Sequence, residues 1–297
     1  MTDRRILLVA HTGRADIYST ARHVMKTLEA AGIELLAVPG EGTELDLTIL
    51  ESGTAVEEGG ESPVELVLAL GGDGTLLRAA EVARPLRAPV IAINLGRVGF
   101  LAEAEADRLD EVLNALIAGN YTLTERMTVD VVIERDGVVI DKCWALNEIS
   151  VEKASRERIL DVVVEVDGRG VSAFGCDGVL CATPTGSTAY AFSAGGPIIW
   201  PDVEALLVVP SNAHALFARP MVVSPHSTVS IHVDPSGHEA IVACDGRRTH
   251  EVPPGSKLHV RRGAQTVTMV KLGDQRFTDR LVAKFSLPVR GWRERSH

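Results

Sequence analysis

Aromatic residues and cysteines are scarce in this chain of 297 residues, and long apolar runs are missing from it. Aromatics make up 4% of the composition, and the four cysteines stand at positions 143, 176, 181 and 244. They form no C-x-x-C pair, so we interpret them as small buried hydrophobic residues rather than as metal ligands or a disulfide. The apolar runs have strand length, far below the roughly 20 residues that cross a bilayer. We therefore expect a soluble cytoplasmic protein with no membrane partner.

Positive charge is also in short supply. Thirty Lys and Arg residues stand against 40 Asp and Glu residues, which gives a formal net charge of −10. Without a basic stripe, this balance argues against nucleic acid as a partner. The Gly-Lys pair of a P-loop, the Gly-x-Ser-x-Gly elbow and the His-Glu-x-x-His helix are all missing. The chain does have 297 residues, which is long enough for two domains, and 45% hydrophobic residues, which is enough for sizeable cores.

The most informative stretch is the loop Gly71-Gly72-Asp73-Gly74-Thr75, between an apolar run at 64–70 and good helix formers at 76–82. Three glycines in four positions let backbone N–H groups approach an anion at a helix start, which is typical of a phosphate-binding loop. A carboxylate inside such a loop needs its own task, such as accepting the proton of a hydroxyl. The loop thus suggests phosphoryl transfer to an alcohol. Taken alone, it is equally compatible with a glycine-rich turn in which Asp73 is the N-cap.

Strands and helices alternate in the first part of the chain. Strands are predicted at 4–11, 33–38, 64–70 and 89–93, and helices at 15–31, 76–82 and 107–118. This alternation predicts an α/β domain over residues 1–120 with a parallel, doubly wound sheet. Ligands of such sheets bind at the carboxyl ends of the strands, so the loop at 71–75 and a second glycine loop at 94–101 should face one crevice. The acidic segment 39–63 has no clear pattern.

After Asn120 the hydrophobic period changes to that of strands. Short β-rich runs separated by turns predict a mainly antiparallel β-rich domain over residues 121–280. These runs lie at 128–134, 138–144, 159–166, 178–183, 228–233, 240–244, 257–262 and 266–271. A short closing helix is predicted at 277–285. Residues 281–297 form a C-terminal segment whose packing back on the first domain is left open, and we expect its end to be disordered.

Two stretches of the β-rich part are unusual for plain scaffolding. One is Asn147-Glu148, an amide beside a carboxylate at a strand end. The other is the Thr, Ser and Gly-rich segment 183–197, which follows Asp177 and contains Tyr190. Hydroxyls and an aromatic ring suit sugar hydroxyls and a base. A Ser/Thr-capped turn would explain about half of these residues.

These stretches closely resemble, in order along the chain, the motifs of the NAD kinase family. The resemblance covers residues 4–285, and the combination of motifs is specific although the Gly-Gly-Asp-Gly piece alone is shared with lipid kinases and phosphofructokinases. It implies an α/β first domain, a β-rich second domain and ATP-dependent phosphorylation of the adenosine ribose 2′-hydroxyl of NAD to give NADP. The motifs are Gly71 to Thr75, Asn94-Leu95-Gly96 with Gly99-Phe100-Leu101, Asn147-Glu148, and residues 183–197.

The resemblance assigns roles in the first domain by motif position. Asp73 would be the general base, Gly72 and Gly74 would shape the phosphate loop, and Arg78 would lie near phosphate. A divalent metal, Mg²⁺, would be bound with the nucleotide and not by a dedicated set of side chains. Phosphoryl transfer needs little more from a protein than a phosphate cradle, a metal, a positioned acceptor and one base. The donor, whether ATP, another triphosphate or polyphosphate, stays open, as does NAD against NADH.

The resemblance also assigns the dinucleotide contacts. Asn147 and Glu148 would bind the adenosine part, Asp177 would meet the nicotinamide end, and Arg158 would add a basic contact. Arg247 departs from the glutamine that the family often has after Asp-Gly. The chain would form a homodimer or homotetramer in which neighbouring subunits complete the site. The dinucleotide site would further be lined by Thr188, Ala189, Tyr190 and Ser193.

Two other functions compete with this one. A lipid or sphingoid-base kinase would share the loop at 71–75, but it needs an apolar slot for an acyl chain, and the polar groups at 147–148 and 183–193 fit a dinucleotide better. A nucleotide sensor without catalysis would use the same pocket for binding alone. The carboxylate of Asp73 speaks against a sensor, because it would repel the phosphates that a pure binder must hold.

Overall fold

The structure is a computed structural model that describes residues 4–10, 15–40, 45–50, 56, 60–96, 99–155, 157–216, 218–273 and 276–289. The expected disorder at the chain end, from residue 290 onward, and parts of the acidic segment 39–63 lie outside these ranges. The chain divides into two compact units, residues 1–125 with 267–297, and residues 126–266. Among the described residues, no helix combines the length and hydropathy of a membrane span.

The first unit begins with strands and helices in alternation. Its apolar strands at Arg5–Ala10, Leu66–Leu70 and Val90–Asn94 are buried almost throughout, as expected of central strands covered on both faces. The first helix, Ala15–Ala30, buries Ile17, Ala21, Val24 and Leu28, at the spacing predicted from the sequence. The elements are β1 Arg5–Ala10, α1 Ala15–Ala30, β2 Glu34–Ala37, β3 Thr48–Ile49, β4 Leu66–Leu70, α2 Asp73–Leu86, β5 Val90–Asn94, β6 Ala104–Glu105, α3 Leu109–Ala118 and β7 Thr122–Arg126.

The second unit is built from two antiparallel sheets of six strands each among the described residues. Their inward side chains form one apolar cluster with contributions from both sheets. The elements are β8 Val129–Arg135, β9 Val138–Ala145, β10 Glu148–Lys153, β11 Leu160–Val166, β12 Arg169–Cys176, β13 Gly178–Ala182, α4 Tyr190–Ser193, β14 Leu206–Ser211, β15 Met221–Val223, β16 Val229–Val233, β17 Ala240–Cys244, β18 Arg248–Val252 and β19 Lys257–Arg262. One sheet has the order β15-β14-β13-β10-β17-β18 and the other β12-β11-β16-β19-β8-β9.

The chain then returns to the first unit with β20 Val267–Lys271 and α5 Phe277–Phe285. The first sheet has the order β3-β2-β1-β4-β5-β20-β7, with β6 beside β5. The run at 266–271, grouped with the antiparallel strands in the sequence analysis, pairs parallel to β5 through Met269 and Val90. A five-residue β pattern does not encode its partner, because pairing is decided by packing over long sequence distances. The predicted fold class, a parallel α/β domain with an antiparallel β-rich domain, is confirmed.

Candidate active site

The first glycine loop lies at the carboxyl end of β4. Gly71 has φ +153°, and a Cβ there would stand 2.3 Å from Thr75 Oγ1, so the fold itself requires this glycine. Gly72 and Gly74 differ, because a Cβ at either would meet nothing within 4 Å, and both are exposed. Packing therefore does not explain these two glycines. They leave the backbone at the start of α2 open to close approach by a ligand.

The Asp73 carboxylate is held by the second glycine loop. Its two oxygens accept hydrogen bonds from the backbone N–H groups of Phe100, at 3.1 Å, and Leu101, at 3.2 Å. A Cβ at Gly99 would lie 2.2 Å from Asp73 Oδ1, so this glycine makes room for the carboxylate. The N-cap of α2 is Gly72, with no side-chain cap, so Asp73 does not have the N-cap role that the sequence allowed. Instead, Asp73 joins the two glycine loops, as their expected position at one crevice implied.

A buried amide organises the start of the second glycine loop. Asn94 is 1% exposed; its Nδ2 donates to Glu105 Oε2 at 2.6 Å and its Oδ1 accepts from the Gly96 N–H at 3.1 Å. The pKa of Glu105 is raised, chiefly by burial and further by the charges of Asp107 and Asp73. Asn94 is thus a support for the loop, and its motif position does not by itself make it a ligand contact.

The second glycine loop is also attached to helix α5. Arg280 donates to the Phe100 carbonyl at 3.1 Å and to Glu103 Oε2 at 2.6 Å, and Glu103 also accepts from the Leu272 N–H at 2.8 Å. The Phe100 ring packs against Phe285, with ring centroids 5.5 Å apart. No local pattern predicted this support, because Arg280 and Phe100 are 180 positions apart in the chain.

Asn147 and Glu148 lie where β10 begins, and Asp245 fixes the backbone before them. Its carboxylate accepts from the N–H groups of Leu146, at 3.1 Å, and Asn147, at 2.7 Å, and it pairs with Arg248 at 2.8 Å. Burial raises the pKa of Asp245, although these donors act in the opposite direction. The turn after Asp245 carries the exposed Arg247, at the position where the sequence departs from the family pattern.

The Thr and Ser-rich segment is packed tightly against Asn147. A Cβ at Gly186 would stand 2.0 Å from the Asn147 carbonyl oxygen, so this glycine is required for the approach. Thr183 donates from its N–H to the same carbonyl at 2.8 Å and from its hydroxyl to the Leu146 carbonyl at 2.6 Å. The buried Ser187 hydroxyl bonds to the backbone of Pro184 and residue 199. Thr183 and Ser187 are thus structural, which matches the capped-turn interpretation for part of this segment.

Two buried polar atoms at this place lack a partner. Among the described residues, nothing hydrogen-bonds to Asn147 Oδ1 or Glu148 Oε2, although the residues are only 6% and 5% exposed. Burial, together with the nearby charge of Asp245, raises the pKa of Glu148 to about 8, and the Tyr190 N–H that bonds to it acts in the opposite direction. An orphaned acceptor is costly unless a ligand satisfies it. A hydroxyl or amino donor of a ligand would do so.

The remaining predicted contacts of the second unit fall into two groups. Tyr190 begins the short helix α4, and its N–H donates a hydrogen bond to Glu148. Thr188, Ala189 and Ser193 lie close to Tyr190 in the sequence. Asp177 lies at the other end of the β10–β13 pair, where Lys153 Nζ and Asn212 Nδ2 hold its oxygens.

Hydrogen bonding from Lys153 and then Asn212 lowers the pKa of Asp177. In the β10–β13 pair, Glu148 stands opposite Ala182 and Glu152 stands opposite Gly178. At about 3.4 Å per residue, these two ends of the strand pair lie roughly 14 Å apart. Arg158 is exposed in the turn before β11, and Arg78 is half-buried on α2 of the first unit. The structure thus joins Asn147, Glu148 and Tyr190 directly and keeps Asp177 apart from them.

The chain thus combines an α/β unit with an antiparallel β unit, each with a candidate site of its own. Comparison with known proteins is more specific. Residues 6–121 match the model of the ATP-NAD kinase N-terminal domain, and residues 146–272 match that of the ATP-NAD kinase C-terminal domain. The chain belongs to the ATP-NAD kinase family.

Relatives and solved structures agree with this assignment. The NAD kinase of Rhodococcus erythropolis is 54% identical, with 98% of this chain and 96% of the relative covered. That of Mycolicibacterium paratuberculosis is also 54% identical, with 98% of each covered. Among solved structures, yeast NADH kinase complexed with NADH has a TM-score of 0.83 at 20% identity, covering 97% of this chain and 89% of that one. At that identity the likeness shows the fold alone.

Proposed function

We propose that this protein transfers the γ-phosphoryl group of ATP to the adenosine ribose 2′-hydroxyl of NAD, giving NADP and ADP. In this reaction the 2′-oxygen forms a bond to the γ-phosphorus, the bond from that phosphorus to the bridging oxygen of ADP breaks, and the hydroxyl proton passes to Asp73. The observation that carries the proposal is the Asp73 carboxylate, placed by two backbone N–H groups beside two exposed glycines. The relatives described above, named NAD kinases, identify the acceptor.

The phosphates would be bound by the backbone at Gly72 and Gly74, at the positive end of α2, with Arg78 nearby as a cation. A divalent ion, Mg²⁺, fits the donor set. The loop at 71–75 contributes a single carboxylate, too few for an all-protein cage but suited to an ion that takes most of its oxygens from phosphates and water. When bound, the ion would offset the charge of the transferring phosphate.

Asn147 and Glu148 would bind the adenosine part, because the buried atoms Asn147 Oδ1 and Glu148 Oε2 have no hydrogen-bond partner among the described residues. Ribose hydroxyls and the adenine amino group are donors of the required kind. Thr188, Ala189 and Ser193 would line the same site around Tyr190. This polar arrangement favours a dinucleotide over the acyl chain of a lipid kinase.

A homo-oligomer is part of the proposal, on the ground of the family resemblance. Asp177, proposed to meet the nicotinamide end, lies a strand's length from Glu148, so one chain need not supply both ends of one dinucleotide. Exposed aromatic side chains at Tyr190, Phe192 and Trp200 offer apolar surface beside the proposed site. We propose that a neighbouring copy completes the site, as a dimer or tetramer, and that Arg158 adds a basic contact there.

The test is to incubate purified protein with NAD, ATP and Mg²⁺ and to identify the product by mass spectrometry and ³¹P NMR. NADP phosphorylated at the 2′-position is expected, and the adenosine 2′-deoxy analogue of NAD should bind without turning over. Replacing ATP by polyphosphate, or NAD by NADH, ranks the substrates. A phosphate at the 3′-position, or no transfer at all, would contradict the proposal.

A further inference from the structure

Three potential metal ligands that the proposed function does not use lie together in the second unit. Cys143 in β9, Cys244 at the end of β17 and His250 in β18 each offer one ligand atom, and these atoms lie within 4.8 Å of one another. Thiolate and imidazole are the ligands that Zn²⁺ prefers. We propose that this cluster is a zinc site with three protein ligands and a fourth position left to water, in place of the interpretation of Cys143 and Cys244 as plain buried hydrophobic residues.

The two sheets bring these residues together. Cys143 belongs to one sheet, while Cys244 and His250 belong to the other. In the β17–β18 pair, Val242 stands opposite His250 and Cys244 opposite Arg248, which places Cys244 and His250 on the same face of the hairpin. Bonds of 2.0–2.3 Å to a tetrahedral zinc ion imply ligand separations of roughly 3.3–3.8 Å. The observed limit of 4.8 Å therefore requires only about 1 Å of side-chain movement.

A carboxylate already orients the histidine. His250 Nδ1 lies 2.6 Å from Asp141 Oδ2. A carboxylate oxygen accepts, so Nδ1 is the donor in this hydrogen bond. The lone pair of Nε2 is then the one available to a metal. Metal-binding histidines almost always have such a carboxylate or carbonyl partner at the second ring nitrogen.

The two thiols lie within hydrogen-bonding distance of each other, and the Arg248 guanidinium lies near both. Arg248 is itself held by Asp245 and by the Trp144 ring, 4.5 Å from its guanidinium carbon. Two thiolates would neutralise Zn²⁺, so Arg248 does not oppose the ion. Zinc would displace the thiol protons as it binds.

The position of the cluster suggests a structural role. Cys143 is two residues before the end of β9, which leads into Leu146 and Asn147, and Cys244 immediately precedes Asp245, whose carboxylate binds those two N–H groups. A zinc ion would therefore clamp the two backbone segments that set Asn147 in place. This role does not depend on the reaction proposed above.

The experiment uses the purified full chain, reduced with a phosphine and stripped of metal. Zinc is added, the protein is separated from free ion, and bound zinc is measured; Co²⁺ is added in a parallel sample. We expect equimolar zinc and, with cobalt, the sulfur-to-metal charge-transfer band and intense visible bands of a tetrahedral thiolate site. Both signals should be lost in Cys143→Ala and in His250→Gln.

Two further variants make the test specific. Cys181→Ala removes a fully buried cysteine outside the cluster and should keep equimolar zinc. Asp141→Asn keeps the ligands but weakens their orientation, so zinc affinity should fall roughly 10–100-fold. If Cys143→Ala does not fold, His250→Gln carries the test by itself.

Three results would overturn the proposal. They are wild-type protein that retains no equimolar zinc, variants at Cys143 and His250 that bind as the wild type does, and a Cys143–Cys244 disulfide found by peptide mass spectrometry as the stable form of the untreated protein. Activity is not among the readouts, so a failure here is separable from a failure of the proposed reaction.

Discussion

The two units place a carboxylate in their candidate sites by opposite means. In the first unit, Asp73 lies in a half-buried loop, and two backbone N–H groups point at its oxygens. In the second, Glu148 starts a buried strand, beside Asp245, with one oxygen unpartnered among the described atoms, and burial raises its pKa to about 8. The first arrangement holds a carboxylate in place by two backbone N–H donors, whereas the second leaves a buried carboxyl oxygen without a partner among the described residues. Changes at the two places should therefore fail in different ways.

Asp73→Asn should produce the largest effect. Asn cannot take the hydroxyl proton, and a positioned general base contributes on the order of 10²–10⁴-fold, so kcat should fall by about that factor. One backbone N–H also loses its acceptor, which should cost about 1 kcal/mol of stability. Steady-state kinetics and thermal denaturation measure the two effects. Asp107→Asn, which removes the same charge from an exposed turn, is the control; if Asp73→Asn kept most of its turnover, the base would be another group.

Arg280→Met tests whether the second glycine loop depends on α5. It leaves the Glu103 carboxylate, 8% exposed, without its cation, and breaking a buried ion pair costs about 3 kcal/mol. The midpoint of chemical denaturation should fall accordingly. Arg108→Met breaks the exposed pair with Glu111 in the same unit and should cost less than about 1 kcal/mol. Equal losses in the two variants would show that Arg280 is no more than a surface partner.

Gly186→Ala and Gly74→Ala sharpen the contrast between glycines required by packing and glycines left open for a ligand. The first would place a Cβ 2.0 Å from the Asn147 carbonyl, so the loop must shift at a cost of about 2 kcal/mol. The second meets nothing within 4 Å and should keep or slightly raise stability, while KM for ATP rises. Chemical denaturation measures the loss of stability expected for Gly186→Ala, and steady-state kinetics measure the rise in KM expected for Gly74→Ala. An inactive but fully stable Gly186→Ala protein would argue against the packing role.

Glu148→Gln should give a smaller effect that depends on pH. The folded-state pKa of Glu148 is raised to about 8 from an ordinary 4.5, so the folded state binds the extra proton. The contribution of this proton to the free energy of unfolding is fully present below pH 4.5 and is lost as pH rises through 8. The Gln variant does not titrate at this position, so it should become more stable than the wild type as pH rises toward 9, with little difference between the two at pH 4. Parallel stability–pH curves would contradict the raised pKa.

Local patterns in the sequence were sufficient for the helices and many strands. The helix predicted at 15–31 is found at Ala15–Ala30, and the run at 64–70 is the buried strand Leu66–Leu70. The glycine loops and the pair Asn147-Glu148 could be identified as unusual, because their residue types conflict with plain scaffolding. Strands such as β12 and β14 were not predicted, and their neighbours in the sheets were not predictable from short β patterns.

By itself the sequence determined the alternating and β-rich halves, the family and the candidate residues, because hydrophobic period and motif order are local properties of the chain. Only the tertiary structure decided that Asp73 binds the Phe100 and Leu101 backbone, that burial and the charge of Asp245 raise the pKa of Glu148, and that Cys143 lies beside Cys244 and His250. The reason is physical. Hydrogen bonds, burial and charge act over a few ångströms between residues tens to about a hundred positions apart, and no local pattern records which of them the fold brings together.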